Sequence, residues 1–223
     1  NDNVTTLTLA GITQSGGGNV IINNTGAIAT NADSTVNDGG NISLSAGTNL
    51  AISNASGSNT IYFSSTVGSI TQTGTGILTG GVLTTVSNGG VILNVAANDI
   101  TSYTGIESNG DILFSSINDV SVGAISASGN IELTALSLNQ SAGVINANQL
   151  TTNTTNGSSL ANANTVNSYS ATNTTSGDIV LNDNVTTLTL AGITQSGGGN
   201  VIINNTGAIA TNADSTVNDG GNI

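Results

Sequence analysis

The sequence predicts an all-β fold, a parallel β-helix (β-solenoid) of about 20 residues per rung, and three observations carry that prediction. Residues Asn1 to Ile42 return letter for letter as Asn182 to Ile223, so residues 1–181 form one unit and 182–223 open an identical one. Short runs of alternating aliphatic residues recur along the chain behind a Gly, Asn or Asp. The distance between most of these runs is close to 20 residues, the length that three short strands and three bends need.

In chain order the runs are Gly18-Asn19-Val20-Ile21-Ile22, Gly40-Asn41-Ile42-Ser43-Leu44, Asn59-Thr60-Ile61-Tyr62-Phe63 and Gly89-Gly90-Val91-Ile92-Leu93. Gly110-Asp111-Ile112-Leu113-Phe114, Gly129-Asn130-Ile131-Glu132-Leu133 and Gly177-Asp178-Ile179-Val180-Leu181 follow. Strict alternation between turn-forming residues marks half-buried strands. Helices are not expected, because Gly, Asn, Thr and Ser interrupt every stretch and no apolar stripe has helical spacing. Taken from Val20, the landmarks Ile42, Ile61, Val91, Ile112, Ile131, Ile179 and Val201 are separated by 22, 19, 30, 21, 19, 48 and 22 residues. The step of 48 reads as two turns with one landmark lost. Second strands show as Asn49-Leu50-Ala51-Ile52 and Asp119-Val120-Ser121-Val122, and third strands as Gly123-Ala124-Ile125 and Gly143-Val144-Ile145.

Each residue type has a place in such a coil. Val, Ile, Leu and Ala point inward and stack on their equivalents about 4.8 Å away. Each such side chain contributes roughly 1.5–3 kcal/mol when fully buried. Gly, Asn, Asp and Ser turn corners, and Thr and Ser face outward without charge repulsion. The stretch Asn146 to Ser176 is the least patterned, with Leu150, Leu160, Val166 and Tyr169 as sparse anchors. It reads either as two poorly matched rungs, which a division of 48 into two rungs of about 24 favours, or as one rung with a surface arm. If 181 residues are a whole number of rungs, nine of about 20 or eight of about 23, each unit continues the last without breaking a column. No Pro-rich or charged linker separates the copies, as separate globular domains would require.

The chain has no Lys, Arg, His, Pro, Cys, Met or Trp, and its twelve Asp and Glu give a net charge of −12. Direct binding of nucleic acid is excluded for want of cations, and an anionic membrane surface is repelled. Disulfide and thiolate chemistry are absent with cysteine, and trypsin-type cleavage sites with Lys and Arg. Abundant Val, Ile and Thr with few charges argue against disorder. No segment reads as a signal peptide or a membrane span.

The segments Gly129 to Ala135 (Gly-Asn-Ile-Glu-Leu-Thr-Ala) and Gly40 to Ala46 (Gly-Asn-Ile-Ser-Leu-Ser-Ala) resemble the repeats of filamentous-haemagglutinin-like bacterial exoproteins. The likeness is compositional and periodic, and it covers most of the chain except Asn146 to Ser176. It implies a right-handed parallel β-helix, secretion across an outer membrane, and work as an adhesin or extracellular fibre at the bacterial cell surface. It carries over no binding residue.

Candidate chemistry is thin. Asp111 and Glu132 occupy nearby places in consecutive rungs and form the one carboxylate pair suited to glycoside hydrolysis. The competing account makes Asp111 a corner residue and Glu132 an outward strand residue, and the shortage of bases and aromatic platforms favours it, so no catalytic residue is expected. Calcium would use the acidic pairs Asp33 with Asp38 and Asp214 with Asp219, but no calcium-loop motif surrounds them, and no cofactor is expected. Gly16-Gly17-Gly18 is a turn and not a phosphate loop. The Thr-x-Thr pairs Thr6-Leu7-Thr8 and Thr71-Gln72-Thr73 drift between rungs instead of forming an ice-binding array. Asn-x-Ser/Thr triplets such as Asn54-Ala55-Ser56 and Asn153-Thr154-Thr155 are expected by chance at this composition. Two functions remain: a structural segment of a long surface fibre, with neighbouring units end to end and other fibres at its sides as partners, or a calcium- or glycan-dependent binding module.

Overall fold

In the computed structural model, residues 2–31, 35–212 and 216–217 are described. Among them every regular element is a β-strand and every pairing is parallel, in a solenoid of about ten turns with roughly 20 residues in each. The strand Thr60–Ser65 shows how the sequence does this. Ile61, Phe63 and Ser65 are buried and their neighbours partly exposed, which is the period of two that a pleated strand imposes. Paired residues of successive turns therefore stack into inward columns.

One column runs Leu7, Ile28, Leu50, Ile70, Val91, Ile112, Ile131, Leu150, Tyr169, Leu190. Those nine steps end two residues past Leu188, the repeat of Leu7. A second column passes through Ile22, Leu44, Phe63, Thr85, Gly105, Ile125 and Ile145, continues beside it through Asn164, and ends at Asp183 and Asn205. It too ends two residues past the repeat of its first member, since Ile22 returns as Ile203. The unit thus spans nine rungs and not eight. Because the offset is even, inward residues stay inward from one copy to the next.

The landmark residues do not share one column. Val20, Ile42 and Ile61 stack together, as do Val91, Ile112 and Ile131, whereas Ile179 and Val201 close a third series through Val120, Leu138 and Ser158. The long steps contain a change of face. From Ile61 the step of 30 moves along the same turn to Ile70 and then up one rung to Val91. From Ile131 the step of 48 moves to Leu138 and then climbs two rungs through Ser158 to Ile179. The rungs are therefore of ordinary length, about 20 residues and not 24.

Residues 146–176 form regular rungs, including the longest strand of the chain, Ser158–Asn173. Their pattern is faint because polar residues take inward places: Thr152, Thr154, Ser158, Asn164 and Asn173 are all buried. The largest fully buried side chains are aromatic, Tyr103, Tyr169, Phe63 and Phe114. Tyr103 stacks on Phe114 with ring centroids 4.2 Å apart, and its hydroxyl meets Thr85 Oγ1 at 3.0 Å. A side chain at Gly105 would stand 2.6 Å from that hydroxyl, so glycine there makes room for the tyrosine.

The two copies of the opening segment carry matching strands, Val20–Asn24 with Val201–Asn205 and Ala27–Thr30 with Ala208–Thr211. The strand Ile179–Asp183 carries the coil into the second copy without interruption. Further on the copies differ, since Thr13 pairs with Asn37 whereas its repeat Thr194 pairs with Thr216, the repeat of Thr35.

Candidate functional site

The acids come first, since they are the only ionised side chains. Asp111 and Glu132 lie on adjacent rungs, Glu132 opposite Leu113, and each is held by a different partner. The Asn130 amide N–H donates to Asp111 Oδ1 at 2.7 Å, and Asn153 Nδ2 donates to Glu132 Oε1 at 3.1 Å. Each carboxylate has a local structural task. Asp119 accepts from the Ser137 hydroxyl at 2.6 Å, Asp99 from the Asn118 amide, and Glu107, buried at its corner, from the Asn109 N–H. The calcium candidates Asp33, Asp214 and Asp219 lie outside the described residues, as does the side chain of Asp38. Among the described residues no three acids gather to hold a metal ion.

The Gly-Asn/Asp-aliphatic signature has a single mechanical meaning. Asn19 Oδ1 accepts the Asn41 N–H at 3.1 Å, Asn41 Oδ1 the Thr60 N–H at 3.1 Å, and Asp178 Oδ1 the Asn200 N–H at 2.7 Å. Each corner side chain thus satisfies a backbone donor of the next rung, which would otherwise be left without a partner at the bend. The preceding glycine is required by close approach: a Cβ at Gly129 would stand 2.2 Å from Asp111 Oδ1, and one at Gly199 2.0 Å from the Gly177 carbonyl.

A second set of contacts lies inside the coil. Gln72 and Asn98 exchange amide hydrogen bonds at 2.7 and 2.9 Å, and Gln140 and Asn164 do the same at 2.7 and 3.1 Å. Asn173 Nδ2 donates to Gln195 Oε1 at 2.8 Å. Each glutamine also donates to a turn carbonyl, of Gly76, Gly143 and Gly177 respectively. These buried clamps were not foreseen. Their one trace in sequence is the recurring Ile-Thr-Gln-Ser/Thr-Gly at Ile12, Ile70 and Ile193, and nothing in it names the asparagine partner.

Burial pushes the Tyr103 and Tyr169 hydroxyls upward in pKa, partly offset by hydrogen bonds from Thr85 and from Ser158 and Thr152. Burial also raises Asp183, against the opposing backbone hydrogen bonds of Val166 and Asn184. Tyr103 and Tyr169 are fully buried, whereas Asp183 borders a shallow depression of about 340 Å³ beside Ala161, Ala163, Asn204 and Thr206. One surface depression is a shallow trough of about 540 Å³ across successive rungs, lined by Thr13, Ser56, Gly57, Thr79, Gly80 and Asp99 among others. It offers hydroxyls, glycine backbone and a single carboxylate. The threonine pairs form no array, since Thr6 and Thr8 stack on Ala27 and Ala29, and Thr71 lies between Ala51 and Ile92. Compared with known proteins, the chain matches no family model, no curated protein and no solved structure.

Proposed function

We propose that the chain is a structural segment of a long extracellular fibre or adhesin at a bacterial surface, built from tandem solenoid units of 181 residues. The observation that supports this reading most is that the strand Ile179–Asp183 carries the coil without interruption into the second copy of the repeated segment. Its residues pair with Ser158, Ser159 and Leu160 on one side and with Val201 to Asn205 on the other, so copies join through ordinary rung stacking. Nine rungs at about 4.8 Å each advance the axis by roughly 43 Å per unit. The task is then mechanical: to span distance and present surface, held by rung-to-rung hydrogen bonds and inward columns. The bacterial and extracellular setting rests on the resemblance of the Gly-Asn-Ile segments.

Negative-stain images of a chain with several units test the proposal. The expected result is a uniform rod whose length grows by roughly 43 Å with each unit. Beads joined by flexible links would overturn it.

A further inference from the structure

Six corners of the coil share one clamp geometry. Asn24, Asn98, Asn164, Asn173 and Asn205 each take a backbone N–H of the preceding rung on Oδ1, from Val4, Leu78, Ile145, Gly157 and Val185 at 2.8–3.2 Å. Asp183 is the sixth, taking the Val166 N–H at 3.0 Å. The amide Nδ2 of the asparagines donates to a nearby carbonyl. For Asn24, Asn173 and Asn205 that carbonyl belongs to the residue three positions on, Ala27, Ser176 and Ala208, at 2.7–2.8 Å. Asp183 has an oxygen where the others have an NH2. Its Oδ2 is the one buried side-chain polar atom without a partner among the described residues, and the residue is 4% exposed.

We propose that Asp183 is a proton-gated clamp at the joint between successive rungs of the repeated segment. Protonated, its Oδ2–H donates to the corner carbonyls as an asparagine NH2 does; ionised, it buries an uncompensated charge beside them and loosens the joint. Among the described residues no charged side chain faces it. The strand Ser158–Asn173 contributes Asn164 and Val166 to its surroundings, and Val201–Asn205 contributes Asn204 and Asn205. Tyr169 of the first strand is bonded to Thr152 and Ser158, and Asp178 at the head of its own strand to Asn200. The chain contains no Lys, Arg or His to pair with it.

The raised pKa of the folded carboxyl fixes the sign. The folded state then holds its proton more tightly than the unfolded chain, so stability is greatest below the unfolded value of 3.8 and is lost as pH rises through the folded value. The joint tightens in mild acid. Asp119 serves as a control, because it is exposed within the coil and its carboxylate already accepts from the Ser137 hydroxyl.

The experiment compares Asp183→Asn with Asp119→Asn, which remove the same charge. Thermal unfolding and exchange of the Val166 amide are followed from pH 7.5 to 3.5, together with the Asp183 carboxyl by NMR. Asp183→Asn is expected to unfold at higher temperature than wild type at neutral pH and to slow Val166 exchange, about tenfold for each pH unit separating the folded and unfolded pKa values. The advantage should vanish in acid, and Asp119→Asn should show none. Equal behaviour of the two variants, or an Asp183 carboxyl titrating near 3.8, would overturn the proposal. So would a neutral-pH gain on adding CaCl2 to wild type that Asp183→Asn does not share, which would make the position a cation site. None of these readouts depends on whether the units build a fibre.

Discussion

Replacing Asn164 by alanine measures what one internal amide clamp contributes. The side chain is fully buried and occupies a column that is aliphatic two rungs below, at Ile125. Its Oδ1 accepts from the Ile145 N–H at 2.8 Å and from Gln140 Nε2 at 2.7 Å. Its Nδ2 donates to Gln140 Oε1 and to the carbonyls of Leu160, Asn162 and Asn182. Alanine leaves the Ile145 N–H without that acceptor, whereas Gln140 keeps the Gly143 carbonyl and the Asn162 N–H. An orphaned buried donor costs about 1–3 kcal/mol. With the void that remains, the expected loss is roughly 2–4 kcal/mol. Gln140→Ala should cost less, because Asn164 still serves Ile145. Asn139→Ala, on the exposed face of the same strand, should stay within about 0.5 kcal/mol. Urea titration gives the three values, and exchange of the Ile145 amide reports whether the opening is local. The double variant should show coupling of about 0.5 kcal/mol or more. If Asn164→Ala proves no more costly than Asn139→Ala, the clamp is an incidental contact and the polar interior needs another explanation.

Two further substitutions address the columns and the corners. Ile131→Asp puts a carboxylate between Ile112 and Leu150 in a chain with no cation to pair with it, and a loss above about 4 kcal/mol is expected; unchanged thermal unfolding would contradict the inward column. Gly177 and Gly74 both have positive φ, +81° and +67°, but a Cβ at Gly177 would stand 2.2 Å from the Asn156 carbonyl while one at Gly74 meets nothing within 4 Å. Gly74→Ala should show only the left-handed penalty of about 1–2 kcal/mol and Gly177→Ala roughly 2 kcal/mol more, both by urea unfolding. Equal losses would mean that backbone conformation alone, and not rung contact, selects glycine at Gly177.

The strands, their parallel stacking and the rung length were legible because they depend on period-two alternation and on Gly-Asn/Asp corners. Which face a strand belongs to was not. Asn41-Ile42, Asp111-Ile112 and Asp178-Ile179 look alike in sequence yet fall in three different series. The reason is local: a corner side chain that takes the next rung's N–H does the same task at any bend, so the motif carries no record of which bend it occupies. The polar interior was hidden for a related reason. Ser158 and Asn164 alternate with outward Ser and Asn of the same kind, and hydropathy cannot separate inward from outward when both are polar. Setting Asp111 beside Glu132 as a carboxylate pair followed from sequence spacing alone, and their separate backbone and amide partners are what the spacing could not show.

The unit length follows from the same stacking rules. Both inward columns that cross the chain arrive two residues beyond the repeat of their first member, at Leu190 for Leu7 and at Asn205 for Ile22. A unit one residue longer or shorter would shift that offset to an odd number and turn the inward side chains of the next copy outward, unless a bulge corrected it. An offset of two is permitted, yet it is not neutral. In a circuit of roughly 20 residues it moves each copy about a tenth of a turn around the axis relative to the one before. Equivalent surface residues of successive units would then follow a shallow spiral along a tandem rod. Lateral contacts made by any one patch would recur on the same side only after about ten units, so bundles held by such contacts would have to twist around one another.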